Sequence, residues 1–353
     1  MFFKKNENSI GIDIGTSSIK VVELQQDGKN ILLKNYGEYR RIRNKKTFPF
    51  HTNAFSFQEE EVAEAVRTLL SETNIQTKSA SFALPAFSSF FTTINLPFMQ
   101  KSEIAGAVKY QSYKYIPLPL QEVVLDWELI EDKQSPKDQL KILLVAVPKD
   151  LVQKYQNLSK LLGVSINVLE VETFSETRAL MGDYKEPIAI VNIGDRSSNI
   201  TVVDNGFIRA CHAVEFSGFY LTKNISESLN VSFQRAESMK KEKGITPEVG
   251  SLASGPIFPV VDKIIFSLQK IVNNYLADDP RKKIQKVILS GGGAGMPGLA
   301  DYFYAKTKIL TERAKTFSSI KYPSQLESAI EEMNSSFSVA VGLALHEFKQ
   351  GLS

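Results

Sequence analysis

Apolar residues in this chain come in short runs broken by polar turns, and one such pattern occurs twice. Ile12-Asp13-Ile14-Gly15-Thr16-Ser17-Ser18-Ile19-Lys20-Val21 lines up with Val191-Asn192-Ile193-Gly194-Asp195-Arg196-Ser197-Ser198-Asn199-Ile200. In each copy an apolar strand leads into a glycine, a short polar turn and a second apolar strand. A hairpin signal follows, Asp27-Gly28 in the first copy and Asn205-Gly206 in the second, and then a third strand. Two meanders opening two halves of one chain predict duplicated lobes.

Between the copies the period changes. Ser56 and Glu59 read as a capping box before the stripe Val62, Val66, Leu69 and Leu70, which predicts a helix to about Thr73. Strands are expected at 79–84 and 89–96, then a helix over 102–115. Strands at 122–131 and 140–147, a helix ending near Gly163, and a strand and helix over 165–182 follow. After the second meander, the strand 286–289 runs into Ser290-Gly291-Gly292-Gly293-Ala294-Gly295-Met296-Pro297-Gly298. A helix is predicted to open from about Pro297, and a last helix spans 336–348.

Length and composition narrow the classes. At 353 residues the chain can build two or three cores, and 43% apolar content is ordinary for a globular protein. A net charge of +3 does not argue for nucleic acid. The densest basic run, Arg40, Arg41, Arg43, Lys45 and Lys46, reads as a solvated loop. Cys211 is the single cysteine, so an intrachain disulfide is excluded, and His51, His212 and His346 lack metal-ligand spacing. No signal-peptide core follows Met1-Phe2-Phe3-Lys4-Lys5, and no run is long enough to span a membrane, so a cytoplasmic protein is expected.

The glycines carry the candidate chemistry. A residue without a Cβ permits a tight turn and lets backbone N–H groups approach an anion. Thr16, Ser17, Ser18, Ser197 and Ser198 add hydroxyl donors, so two facing turns could grip a polyphosphate from both sides. The glycine loop at 291–295, between a strand and a helix, suits close approach to a nucleotide. Its spacing is neither a Walker A loop nor a dinucleotide fingerprint.

Two phosphate turns and a later glycine loop resemble the actin, sugar-kinase and Hsp70 superfamily. Within it, the chain resembles the PilM family of actin-like type IV pilus assembly proteins, relatives of FtsA. The residues that carry this are Gly11 to Leu24, Leu96-Pro97, Lys114-Tyr115-Ile116-Pro117-Leu118-Pro119 through Asp126, Ala236 to Lys240, and Ala340 to Leu345. The resemblance implies an α/β, two-lobed actin-like ATPase fold with an inserted α+β subdomain in the first lobe. It divides the chain into a first lobe at 1–86 and 164–185, an insertion at 87–163, a second lobe at 186–335, and a C-terminal helix at 336–353 returning to the first lobe.

Position by position, the resemblance assigns Gly15, Thr16, Ser17, Ser18 and Lys20 to the first phosphate turn, and Gly194, Ser197 and Ser198 to the second. Glu237 and Lys240 would contact adenosine, and Gly292 and Gly293 would lie beside the nucleotide. Asp13 would hold Mg²⁺ through waters. Glu170 and Glu172 are the candidates for polarising water, with no choice between them. Asn192 stands where active relatives carry an aspartate, and Asp195 and Arg196 crowd the turn that follows. ATP that binds but is hydrolysed slowly is therefore expected, with Asp195 either replacing the lost charge or repelling phosphate.

The resemblance also implies a partner, the N-terminal cytoplasmic peptide of a PilN-like single-pass membrane protein, which would hold the chain at the inner membrane. A groove beside the insertion would suit it, and Phe82, Phe87, Phe90, Phe91 and Phe98 make that region aromatic. No long amphipathic tail follows Leu345, so recruitment by a partner is expected over direct membrane binding. An adaptor is the leading reading. The rivals are a self-associating filament former of the cytoskeletal or division kind and a small-molecule kinase, which would need a catalytic aspartate that the sequence does not show.

Overall fold

A computed structural model describes residues 8–40, 58–130, 139–182, 184–245 and 254–349. The basic residues beyond Arg40, along with His51, Ser56 and the segment 1–5, lie outside the described residues.

The first meander is β1 (Asn8–Ile14), β2 (Ser18–Asp27) and β3 (Asn30–Arg40). Alternation sends its residues to two cores. Ile10, Ile12, Ile14, Ile19 and Val21 pack with Val62, Val66 and Leu69 of helix α1 (Glu59–Glu72). Val22 and Leu24 face the other way, against Phe337, Ala340 and Val341. Gly11 lies where the last helix, α10 (Ser338–Lys349), crosses β1, and a Cβ there would sit 2.1 Å from the Ala340 carbonyl oxygen. Helix α1 begins at Glu59 with Gln58 as its cap and no side-chain cap bond. Glu59 therefore stands at the first position of the helix, two places before where the expected box needs it.

Strand β4 (Ser79–Leu84) adds parallel to β1. The chain then builds a three-stranded antiparallel sheet in the order β5-β7-β6, from β5 (Phe90–Pro97), β6 (Val123–Ile130) and β7 (Gln139–Pro148). Ile104 and Val108 of α2 (Lys101–Ser112) cover one face. On the other face Leu143, Val145 and Val147 join the first-lobe core. Helix α3 (Lys149–Leu162) brings Leu151, Tyr155 and Leu158 into that same core. Strand β8 (Ser165–Val171) adds parallel to β4, and helix α4 (Glu172–Met181) follows.

The second meander, β9 (Ile188–Ile193), β10 (Ser198–Asp204) and β11 (Phe207–Val214), repeats the first. After helices α5 (Gly218–Leu229), α6 (Phe233–Glu242) and α7 (Phe258–Asp278), β12 (Lys286–Ser290) adds parallel to β9. Helix α8 (Leu299–Thr307) leads to β13 (Leu310–Arg313), parallel to β12. The strand orders β3-β2-β1-β4-β8 and β11-β10-β9-β12-β13 match place for place, so the duplication read in two ten-residue segments extends to whole sheets.

Some boundaries differ from expectation. Leu299, not Pro297, opens α8, because Gly298 takes a left-handed φ of 71° under the Ile245 carbonyl. β14 (Ile320–Lys321) pairs with β3, and helix α9 (Glu327–Met333) buries Ile330 and Met333 with Leu33. The return to the first sheet thus precedes 336, since an apolar cluster with Phe317 and Ile320 is already in place there. Likewise α3, which the expected boundaries put in the insertion, packs into the core beneath the first sheet.

Candidate functional site

The two turns border one cleft of about 440 Å³. In the first, Gly15 N donates to Ser18 O at 2.9 Å, and in the second, Gly194 N donates to Ser197 O at 3.0 Å. A Cβ on Gly15 would sit 2.9 Å from Ser18 O and one on Gly194 would sit 2.8 Å from Ser197 O, so both turns close on space that any other residue would fill. Thr16 Oγ1 donates across the cleft to Asp195 Oδ2 at 3.4 Å. The first N–H groups of α5 fix the second turn from behind, Gly218 donating to Gly194 O and Phe219 to Asp195 O. The third wall is the loop after β12, where Gly291 adopts φ 81° and its N–H donates to Ser335 O.

Carboxylates cluster on the cleft floor. Asp13 faces its register partner Lys20, with 3.9 Å between carboxylate and ammonium. Burial raises the Asp13 pKa, the Lys20 charge opposes this, and Glu38 adds to it. Glu172 opens α4, and its Oε1 accepts from Ala86 N and from Asn199 Nδ2, each at 2.8 Å. Burial pushes its pKa up to about 8; the nearby charges of Asp13 and Glu176 add to this, while its two hydrogen bonds oppose it. Asn199 Oδ1 is buried in the cleft wall and has no hydrogen-bond partner among the described residues. Glu176, one turn along α4, is 1% exposed, and burial raises its pKa against the pull of three hydrogen bonds.

Asp13, Gly15, Thr16, Ser17, Ser18, Lys20, Glu172, Gly194, Ser197, Glu237, Lys240, Gly292 and Gly293 all line the cleft. Ser198 instead turns inward and donates to Phe216 O at 2.6 Å. Glu170 lies outside the lining, where Arg178 holds it through two bonds of 2.6 and 2.8 Å. Lys240 is buried, and its ammonium donates to Glu237, Thr222 and the Gly218 carbonyl. Glu237 and Lys240 therefore brace α6 against the start of α5 as well as edging the cleft.

Asn199 and Glu176 escaped the sequence reading. Each looks like an unremarkable polar residue on a strand or helix, and only the meeting of α4 with β9, β10 and β12 reveals its partners. Of the five phenylalanines near the insertion, Phe82 is core, Phe87, Phe90 and Phe91 are half-buried, and Phe98 is 69% exposed. Tyr110, Tyr113, Tyr115 and Leu118 are exposed on the same subdomain.

Among the described residues, no trio of histidine, cysteine or carboxylate side chains forms a metal cage, and no helix is long and apolar enough to cross a membrane. Mg²⁺ does not require such a cage, since it keeps most of its waters and is held by one or two carboxylates. Asp13 supplies a largely buried carboxylate, and the orphaned Asn199 Oδ1 can accept from a water, so these residues fit a hydrated Mg²⁺.

Duplicated sheets around a cleft bordered by two glycine turns define the class of actin-like proteins. Spiroplasma citri MreB5 bound to AMPPNP shares the fold at 12% identity and a TM-score of 0.56, covering 98% of this chain and 96% of that one. A solved PilM–PilN type IV pilus biogenesis complex gives a TM-score of 0.79 at 21% identity, covering 97% and 99%. Enterococcus faecalis FtsA, a cell division protein, is 23% identical over 378 aligned positions, covering 90% of this chain and 83% of FtsA. Residues 11–348 match the family described as type IV pilus assembly protein PilM, and the chain belongs to that family.

Proposed function

We propose that the cleft binds Mg²⁺-ATP, and that the loaded protein is an adaptor of the pilus assembly platform that grips the N-terminal cytoplasmic peptide of a PilN-like membrane protein. The observation that carries the nucleotide reading is the pair of matched turns, joined across the cleft by Thr16 and Asp195. Gly15, Thr16, Ser17, Ser18, Gly194 and Ser197 would hold the phosphates, with Lys20 opposing their charge. Gly292, Gly293, Glu237 and Lys240 would border the adenosine. Mg²⁺, when bound near Asp13, would neutralise phosphate charge.

Slow turnover follows from two features. Glu170 is committed to Arg178, and Glu172 holds its proton until about pH 8, so at neutral pH neither is a ready base. Asn192 adds no charge to the second turn. A turnover above about 1 s⁻¹ would contradict this reading.

The partner reading draws on the PilM–PilN complex that shares the fold. Phe98, Tyr110, Tyr113 and Tyr115 offer exposed aromatic surface on the insertion for a peptide. Attachment to the inner membrane would run through that partner. Calorimetric titration of the Mg-ATP-loaded protein with this peptide tests the adaptor role. Saturable binding at about micromolar affinity, roughly −8 kcal/mol, is expected. Folded, ATP-loaded protein that ignores the peptide would end the adaptor reading and leave nucleotide binding standing.

A further inference from the structure

Helix α4 passes beneath the ends of the second sheet, and Glu176 projects from it into a pocket of donors. Its Oε1 accepts from Asn192 Nδ2 at 2.7 Å, Ser290 Oγ at 2.6 Å and Ser338 Oγ at 2.9 Å. These donors come from β9, β12 and the first residue of α10. Asn192 and Ser290 are register partners across the parallel β9–β12 pair. Asn192 stands two residues before Gly194, and Ser290 directly before Gly291. One buried carboxylate thus ties together the roots of the second turn and the glycine loop, and fastens both to α4 and α10.

This arrangement restricts residue 192. An ionised aspartate there would stand within hydrogen-bond distance of a second buried carboxylate, and two such charges cannot both persist without a shared proton. An amide resolves the conflict, because its N–H donates to Glu176. Its oxygen lies beside Gly291, where a Cβ would come within 2.4 Å of it, and both residues line the cleft. The cleft edge at 192 is therefore a neutral acceptor, while the carboxyl group sits one hydrogen bond away on α4.

We propose that Glu176 is a positioning residue that fixes position 192 as an amide, and so keeps a carboxylate out of the metal-facing edge of the cleft. The proposal rests on the nucleotide reading for its metal consequence, but its structural part stands without it. The pair also has a built-in exchange. With glutamine at 176 and aspartate at 192, the glutamine N–H takes the place of Oε1 and donates to the aspartate, the Ser290 and Ser338 hydroxyls must turn away from it, and a carboxylate moves to the cleft edge.

The test is a double-mutant cycle on the full chain with two readouts, the melting temperature without nucleotide and the affinity for Mn²⁺ alone measured by electron paramagnetic resonance. Asn192→Asp is expected to lower Tm and to regain stability on acidification, as one carboxylate takes a proton. Glu176→Gln alone keeps an acceptor for the three donors and is expected to cost less. Combining the two is expected to recover part of the Tm lost in Asn192→Asp, and to bind Mn²⁺ about tenfold more tightly than the unaltered chain. If Asn192→Asp fails to fold, recovery of folding in the double variant still reports the coupling. Additive losses in Tm, or a double variant no tighter for Mn²⁺, would overturn the proposal. Failure of the unaltered chain to bind ATP would instead overturn the nucleotide reading, leaving the Tm cycle to judge the Glu176–Asn192 coupling.

Discussion

The first and second turns share a backbone and differ in charge. Both close a glycine N–H onto the carbonyl three residues on, at 2.9 and 3.0 Å, and both leave too little room for a Cβ. Their surroundings diverge. Asp13 precedes the first turn and faces a lysine, so a carboxylate reaches the cleft. Asn192 precedes the second, and its amide is spent on Glu176. The first turn is hydroxyl-rich, while the second carries Asp195 and Arg196, with the Arg196 guanidinium over the Phe87 ring at 5.1 Å. Backbone geometry survives duplication because strand pairing and a steric gap enforce it. Charge is free to drift, because a neighbouring helix can supply or remove it.

The largest expected effects test the shared half of this comparison. Gly15→Ala and Gly194→Ala each force a methyl against a carbonyl oxygen, and each should weaken ATP binding by about tenfold or more, as the N–H groups shift off the anion. Equal losses by calorimetry would support two equivalent turns. A tolerated substitution at either one would show that only the other holds phosphate.

The divergent half is tested next. Asp13→Asn should abolish the gain in ATP affinity on adding Mg²⁺, a change of about tenfold, because the carboxylate that offsets the cation is gone. Asn192→Ser should preserve that gain, since position 192 brings no charge. If both substitutions remove it, the neutral second turn takes part in holding the metal, and the two turns are not asymmetric toward it.

The smallest effect concerns Glu172, which bonds to Ala86 beside the first sheet and to Asn199 in the second. Its pKa in the folded protein, about 8, lies above the ordinary value of 4.5. Between those values the folded state keeps a proton that the unfolded state has released, so Glu172 lowers stability progressively as pH rises through this window. Glu172→Gln removes the titration. Its Tm relative to the unaltered chain should rise between pH 6 and pH 9. A pH-independent difference would mean that Glu172 is ionised in the fold throughout.

The repeated segments at 12–21 and 191–200 were legible because strand alternation and turn chemistry are local. Each needs only a few neighbouring residues to declare itself, and the turns and the glycine loop did come together at one cleft. The candidates taken from those motifs line it, apart from Ser198, which turns inward, while Glu170, a candidate from outside them, pairs with Arg178. Whether a strand residue faces the cleft or the core depends on pairing register, and register is not written at the residue itself.

Sequence alone determined the duplicated meanders, the two glycine turns and their order along the chain, because steric and hydrogen-bonding rules of short range dictate them. Tertiary structure alone decided which carboxylates are buried and which donors meet them. Glu176 collects Asn192, Ser290 and Ser338 from positions 16, 114 and 162 residues away. Burial then raises the cost of charge in that low-dielectric meeting point, and so governs which residues there can be ionised.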